Sequence, residues 1–288
     1  MFAAALVAGV ALGATYALLA TTLILLVRTT GILNFAVAQM ATLVSFIGFE
    51  LDRAGIGAVA TVLLTMLISG VMGPLVYLLV IRPARTTAVY LSLRTLGLLL
   101  VLDAVVKQVW GAGAPYRFPR LLPSGQVQLF GTAVTYTQIG TAVAAAVVAL
   151  AVGGLLRSPR LGLLLRAVAA DRPAAARIGI DVRTADILAW GIVGVVCAAS
   201  GLLYAQQATL APGMLDGVLV AAFAAAQVAD MRSLPVGLGA GLALGIVESL
   251  SSVYFNNPVI TQVISFGILV VGLLWRQSFA AAGRAVST

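Results

Sequence analysis

Long stretches without a single charged residue constrain this chain more than any other feature. Runs at 3–27, 31–49, 54–81 and 249–275 contain no Asp, Glu, Lys or Arg. At a helical rise of about 1.5 Å per residue, each run is about long enough to cross the ~30 Å hydrocarbon core of a bilayer. With 61% hydrophobic and 9% charged residues, the chain lacks the polar surface of a soluble globule. The sequence therefore predicts an all-α polytopic membrane protein.

We expect about eight or nine transmembrane or re-entrant helices in a single domain over residues 1–288. Asp230 and Arg232 divide one apolar stretch into two short pieces, which are the seventh and eighth candidates. These pieces fit either two tilted spans or a re-entrant hairpin. The candidate spans are 5–27, 31–49, 57–81, 90–110, 136–156, 187–207, 216–229, 233–254 and 258–275.

Basic residues cluster in a few short connections, and this clustering sets the expected orientation. Connections 82–94 and 157–183 and the C-terminal tail all belong in the cytoplasm by the positive-inside rule. Even numbers of candidate spans separate them, so the N-terminus is expected outside and the C-terminus inside. Arg117 and Arg120 fall on the outer side against this trend. Membrane topology thus accounts for the net charge of +8 better than nucleic-acid binding does.

The stretch 157–186 holds nine charged residues and is expected to be a cytoplasmic loop. Asp171 is placed to cap a short helix, and Pro173 falls in its first turn, where a missing N–H is harmless. Gly179 suits the position after the helix. A helix of about two turns is too short to be stable alone, so we expect it to pack against a partner. The alternative is an ordinary basic loop that only fixes topology.

Polar side chains inside the candidate spans are candidates for a substrate path. Polar groups that face lipid are costly, so they should face the bundle interior or a water-filled path. Hydrogen bonding between helices is the alternative role, and for the intramembrane carboxylate of Glu248 we favour it. The candidate path residues are Thr15, Tyr16, Asn34, Phe35, Gln39 and Glu248.

Two spacings of four residues predict local contacts. Asp103 and Lys107 are expected to form a salt bridge, with a proton relay as the less favoured alternative. Gly241 and Gly245 indicate a helix face that lets a neighbouring backbone approach closely.

The residue inventory argues against an intramembrane enzyme. The chain has no histidine, and Cys197 is its only cysteine, so neither a metal centre nor a nucleophile with a histidine base is expected. Lys107 is the only lysine, and it lies outside any Gly-x4-Gly-Lys-Ser/Thr loop. The chain is therefore not expected to hydrolyse ATP or to bind a cofactor itself.

Several motifs, taken in order, resemble ABC importer permeases of the branched-chain amino acid type, and specifically the shorter of the two permease types. Ala175–Ile180 following Arg166–Val168 is similar to the family's coupling segment, and Gly31–Ala36 to its Gly-x-x-Asn-Phe-Ala segment. Arg82–Arg85 and Gly245–Glu248 resemble its Arg-Pro-Leu-Arg turn and its late Gly-x-x-Glu helix. The resemblance runs over about residues 5–275.

The resemblance implies a division of labour. Two permeases, often non-identical, form the translocation path in a bacterial plasma membrane. Two cytoplasmic ATPases, which hold ATP and Mg²⁺, dock on the coupling helices, and an extracytoplasmic binding protein delivers an amino acid or a related small solute. In this chain the coupling residues implied are Arg166, Asp171, Arg172, Ala175, Ala176, Arg177 and Gly179.

The chain departs from the family pattern at two places. Where the family usually reads His-Gly-Glu after Asn-Phe-Ala, this chain has Val37-Ala38-Gln39, and it lacks the family's Gly-rich turn at 227–236. An ion-coupled secondary transporter is the alternative function, although such carriers need buried titratable groups that are scarce here. A purely structural assembly protein would not explain the capped cytoplasmic helix.

Overall fold

The computed structural model describes residues 2–83, 87–111, 116–119, 125–129 and 132–255, together with 263 and 267. Apart from these last two positions, the ninth candidate span, 258–275, lies outside the described residues. The basic residues Arg85, Arg120, Arg276 and Arg284 also lie outside them.

The described chain is almost entirely helical, with one short β-hairpin. In chain order the elements are α1 (Phe2–Thr30), α2 (Val37–Arg53), α3 (Ala58–Val76) with a π-helical turn (Tyr77–Ile81), α4 (Ala88–Trp110), β1 (Gln126–Leu129), β2 (Thr132–Thr135), α5 (Tyr136–Arg157), α6 (Leu161–Ala170), α7 (Arg172–Arg177), α8 (Val182–Ala205), α9 (Asp216–Val228) and α10 (Leu234–Phe255).

Six of these helices are long and apolar enough to cross a membrane: α1, α3 with its π-helical turn, α4, α5, α8 and α10. Helices α6 and α9 are apolar but shorter. The prediction of an all-α polytopic membrane protein is confirmed, and the protein is a multi-pass membrane protein.

Helix α1 lies at the centre of the bundle and packs antiparallel against α10 through small residues. A Cβ added to Gly245 would stand 2.2 Å from the Cα of Gly13, and one added to Gly241 would stand 2.6 Å from the Cα of Ala17. The two backbones are therefore in direct contact, which only glycine permits at these positions. The predicted close approach along the 241–245 face is confirmed.

The second helix begins six residues later than the predicted start of its span. Helix α1 ends at Thr30, and Gly31 adopts a φ of +71°, which turns the chain out of the helix. The Asn34 side chain then accepts a hydrogen bond from the Ala36 N–H at 2.9 Å. A side chain that bonds its own backbone two residues on favours a turn over a helix, so residues 31–36 form a non-helical connection.

Helix α9 is too short to cross a bilayer alone. Its thirteen residues rise about 20 Å, against a hydrocarbon core of ~30 Å. A tight turn in which Asp230 and Met231 have φ angles of 51° and 53° joins it to α10. Such angles are uncommon for residues other than glycine. Of the two alternatives for this region, the short α9 fits a re-entrant segment, whereas α10 is a full-length helix.

The β-hairpin was not predicted, because 111–128 reads as an irregular loop. Strands β1 and β2 pair antiparallel, with Gln126 opposite Thr135. Thr135 then caps α5 in a reciprocal arrangement with Gln138, whose side chain accepts from the Thr135 N–H. At this same end of the bundle, the Trp110 indole donates to Glu50 at 2.9 Å. We call it the hairpin end.

The opposite end of the bundle carries several arginine side chains. Arg28, Arg157 and Arg166 line a cavity of about 500 Å³ between α1, α5, α6 and α10. Helices α6 and α7 lie at this end, which we call the arginine end. It is the end predicted to face the cytoplasm.

Candidate functional site

The short helix α7 forms as its sequence predicts. The Asp171 carboxylate accepts a hydrogen bond from the Ala174 N–H at 2.8 Å, and Pro173 stands in the first turn. Gly179 has a φ of +84°, the left-handed conformation that ends helices. The predicted cap, first-turn proline and terminal glycine are confirmed. They fix a six-residue helix at the arginine end.

The residues of α7 and its C-terminal turn divide between an inner and an outer face. Ala175 is buried at 3% exposure and packs with residues of α6 and α8. Ala176, Arg177 and Gly179 are exposed, and Ile178 beside them is 77% exposed. These four exposed residues form a small, partly apolar surface that we call the α7 surface.

Arg172 points away from the α7 surface into the helical bundle. Its guanidinium donates to both carboxylate oxygens of Asp186 in α8, at 2.9 Å and 2.6 Å. It also donates to the backbone carbonyl of Thr29 in α1 at 2.6 Å. A bidentate contact between a guanidinium and a carboxylate is directional as well as strong.

A fourth element completes this network. The Tyr77 hydroxyl, in the π-helical turn after α3, donates to Asp186 at 2.8 Å. The Asp186 side chain is only 3% exposed, so its charge is stabilised by Arg172 and Tyr77 rather than by water. The Arg172 network, by which we mean Arg172, Asp186, Tyr77 and the Thr29 carbonyl, therefore ties α7 to α1, α3 and α8.

Asp181 caps the next helix at the same end. Its carboxylate accepts hydrogen bonds from the Thr184 hydroxyl at 2.6 Å and from the N–H groups of Thr184 and Arg183. The Thr184 hydroxyl bond is the largest cause that holds the pKa of Asp181 below its ordinary value. The charged cap fixes the start of α8 close to the end of α7.

The cavity at the arginine end is lined in part by basic side chains. Arg166 donates from Nε to the Gly162 carbonyl at 3.2 Å, one turn earlier in α6. Within the described ranges, the ion pairs are Arg53–Glu50, Lys107–Asp103 and Arg172–Asp186, so none involves an arginine of this cavity.

Three of the candidate path residues lie together in contacts between helices. The Tyr16 hydroxyl donates to Glu248 at 2.7 Å, which joins α1 to α10. Thr15 is fully buried, and its carbonyl accepts from the Ser200 hydroxyl of α8 at 3.4 Å. For Glu248, the favoured role of a hydrogen bond to a neighbouring helix is confirmed.

Two further candidates belong to the non-helical connection between α1 and α2. The backbone N–H groups of Leu33 and Phe35 donate to the hydroxyls of Ser92 and Thr95 in α4, each at 3.0 Å. The Phe35 ring lies 5.1 Å from that of Phe223 in α9. Backbone outside a helix is tolerated at membrane depth only when it is hydrogen-bonded in this way or lines water. Asn34, described above, shapes the same turn.

Gln39 differs from the other candidates because its hydrogen bonding is incomplete. Its Nε2 donates to Asp216 Oδ1 at 2.9 Å, while its buried Oε1 has no hydrogen-bond partner among the residues that the structure describes. Gln39 as a whole is buried, at 1% exposure. Asp216, at the first position of α9, is exposed.

The predicted salt bridge in α4 is confirmed and lies near this pair. Lys107 Nζ is 2.5 Å from Asp103 Oδ2. Both side chains are close enough to act electrostatically on the Asp216 carboxylate. Gln39, Asp216, Asp103 and Lys107 thus come from α2, α9 and α4, and we call them the Gln39 cluster.

Sequence reasoning missed three residues of these two arrangements: Asp186, Tyr77 and Asp216. Asp186 and Asp216 each carried a signal, as a carboxylate at the edge of a candidate span. Within the described part of the chain, no three His, Cys, Asp or Glu side chains come together as a metal site would require.

Comparison with known proteins matches residues 5–273 to the family described as the permease component of branched-chain amino acid transport systems. The high-affinity branched-chain amino acid permease protein LivH of Escherichia coli K12 is 27% identical over 282 residues, covering 92% of this chain and 91% of LivH. BraD of Pseudomonas aeruginosa is 26% identical over 288 residues, covering 95% and 93%. A probable LivH of Methanocaldococcus jannaschii is 27% identical over 274 residues, covering 89% and 85%.

Proposed function

Because this chain belongs to the family of branched-chain amino acid transport permeases, we propose that it is the membrane-spanning subunit of an ATP-driven importer. It forms part of the path for a small polar solute, an amino acid or a related small organic solute. Two separate ATPase chains bind ATP and Mg²⁺ and supply the energy. A second, non-identical permease and an extracytoplasmic binding protein complete the assembly.

The α7 surface is the observation that carries this proposal. Ile178 at 77% exposure stands beside exposed Ala176 and Arg177 on a helix that the rest of the chain holds in place. An apolar side chain held out on a rigid support suits a protein partner. The arginine end is cytoplasmic by the positive-inside rule, so that partner is a cytoplasmic ATPase.

The Arg172 network supplies a route from the ATPase into the helical bundle. A displacement of α7 acts on α1, α3 and α8 together, because Arg172 and Asp186 bridge these helices with short, charged hydrogen bonds. Such a connection transmits movement without the apolar contacts around it having to slide. We propose that this is how closure of the ATPases drives alternating access.

The solute path runs along the outer face of α9. Asp216, Val220, Phe223 and Gln227 recur at helical spacings of four, three and four, and each is exposed or half-buried. A helix face that carries a carboxylate and an amide is costly against lipid, so it faces water or protein. We place the path between this face and the second permease.

The alternative of an ion-coupled transporter has less support. Its two candidate proton carriers were Asp103 and Glu248, and both are already engaged, with Lys107 and Tyr16 respectively. A carrier also has no use for the α7 surface. The geometry therefore favours a permease driven by a partner ATPase.

Replacing Ala176 by Asp tests the proposal. The side chain is exposed, so the variant should insert and fold normally. A carboxylate in the middle of the docking surface should abolish association with the ATPase. The measurement is affinity purification of the tagged chain in mild detergent from its native membrane, followed by mass spectrometry of the co-purified proteins.

The matched control is Ala133→Asp, which places the same charge on an exposed alanine in β2 at the hairpin end. Ala133→Asp should retain the ATPase. Full retention of the ATPase by Ala176→Asp would show that α7 is not the docking element.

A further inference from the structure

The Gln39 amide has one satisfied and one unsatisfied end. Its Nε2 must face Asp216, since the reversed amide would set two acceptors against each other. This fixes Oε1 as a buried acceptor that receives no hydrogen bond from the described part of the chain. Buried polar atoms are nearly always paired, and an unpaired one calls for an explanation such as a missing ligand. Among the buried side-chain atoms of the described residues that have no hydrogen-bond partner, the Gln39 oxygen is the one whose amide also contacts a carboxylate.

The charge around this atom is also unbalanced. The Gln39 cluster holds two carboxylates, Asp103 and Asp216, against one ammonium, that of Lys107. Lys107 is engaged by Asp103, and Asp216 belongs to none of the ion pairs of the described residues. The site therefore presents an acceptor atom and a negative charge, both of which suit a cationic hydrogen-bond donor.

Gln39 and Asp216 lie away from the arginine end of the bundle. Asp216 is about 20 Å along α9 from the turn at the arginine end, and it opens onto the exposed face of that helix. Gln39 stands just after the non-helical connection 31–36. Transport proteins place solute sites where interrupted helices meet near the membrane midplane, and α2 and α9 both begin here.

We propose that Gln39 Oε1 and the Asp216 carboxylate bind the protonated amine of the transported solute. This assignment rests on the proposed function and names the part of the solute that the permease itself recognises. An ammonium group has three N–H donors and a positive charge, so it satisfies both acceptors at once. Phe223, two turns along the same face and packed on Phe35, offers an apolar surface to the hydrocarbon part.

A cysteine reporter on α9 can test this subsite in the full-length chain. Val220 is 52% exposed one turn from Asp216, so Val220→Cys should react with a maleimide. The native Cys197 is fully buried and should not compete. The purified chain in lipid nanodiscs would be labelled with L-leucine, with isoamylamine, which keeps only the ammonium, or with isocaproate, which keeps only the carboxylate.

We expect L-leucine and isoamylamine to slow labelling and isocaproate to leave it unchanged. Asp216→Asn in the same background should raise the concentration needed for protection by at least about tenfold, the value of one charged hydrogen bond. Asp52→Asn makes the same change in α2 about 20 Å along the helix from Gln39, and it should preserve protection.

The proposal is wrong if isocaproate protects as well as isoamylamine, if Asp216→Asn retains full protection, or if neither ammonium probe protects. None of these outcomes depends on ATPase binding. Failure of the proposed function appears instead as an unmodified chain that co-purifies with no ATPase, so the two failures can be told apart.

Discussion

The Arg172 network and the Gln39 cluster each set an aspartate beside a polar side chain within an apolar bundle, but they differ in completeness. Asp186 is 3% exposed and receives three hydrogen bonds from Arg172 and Tyr77. Asp216 is exposed, and its neighbour Gln39 has a buried acceptor atom to which no described residue donates. The polar groups of the Arg172 network are paired with one another, whereas the Gln39 cluster has an acceptor atom that no described residue pairs.

This difference separates a structural role from a binding role. A fully paired buried network rigidifies its surroundings, and removal of any member leaves another uncompensated. A partly paired group carries a cost in the absence of a ligand, and a ligand removes that cost. The Arg172 network therefore suits transmission of movement, and the Gln39 cluster suits recognition.

The largest effect is expected from Arg172→Ala. This change leaves the buried Asp186 charge with Tyr77 as its remaining donor, and breaking a buried pair costs about 3–5 kcal/mol. We expect about 3 kcal/mol, the lower end, because the Arg172 side chain is 37% exposed. The measurement is thermal unfolding of the purified chain in detergent, followed by tryptophan fluorescence.

Arg177→Ala is the control for this change. Arg177 is exposed on the same short helix, and within the described ranges its side chain donates only to the Pro173 carbonyl, at 3.3 Å. Its replacement should therefore change stability by about 0.5 kcal/mol or less. Equal melting temperatures for the two variants would show that the hydrogen bonds of the Arg172 network do not stabilise the fold.

A smaller effect is expected from Tyr77→Phe. The ring and its contact with Trp190 remain, while one hydrogen bond to a charged group is lost. Such a bond contributes about 1.5–3 kcal/mol, and we expect about 1.5 because Arg172 still pairs with Asp186. Tyr254→Phe, at a 75% exposed tyrosine in α10, is the control and should leave the unfolding midpoint unchanged. A silent Tyr77→Phe would limit the network to Arg172 and Asp186.

How much of the fold follows from the sequence depends on whether the signal is local. The spans at 57–81, 90–110 and 136–156 agree closely with α3, α4 and α5, because hydrophobic length is a property of each segment alone. The caps of α7 also follow from a few adjacent residues. The late start of α2 was missed because Ser92 and Thr95, sixty residues away, stabilise the non-helical backbone before it.

The candidate site was less predictable for the same reason. Gln39 was singled out as a polar residue in a candidate span, but its partner Asp216 is 177 residues away. Arg172 was assigned to the coupling segment by resemblance, and a local sequence pattern gives the charge of a loop but not the direction of a side chain. The pairing with Asp186 emerges only when α7 packs against α8.

The smallest effect on stability, and the sharpest contrast with Arg172, is expected from Gln39→Met. Methionine has a similar unbranched shape, so the packing should be kept. The change removes a hydrogen bond to Asp216, which is exposed and can bind water instead, and it also removes the buried, unpaired Oε1. These two terms are each about 1–3 kcal/mol and opposite in sign, so we expect a net change of about 0.5 kcal/mol or less. The same variant should lose the protection of Val220→Cys by isoamylamine. A large destabilisation by Gln39→Met would instead show that Gln39, like Asp186, has a structural role in the bundle.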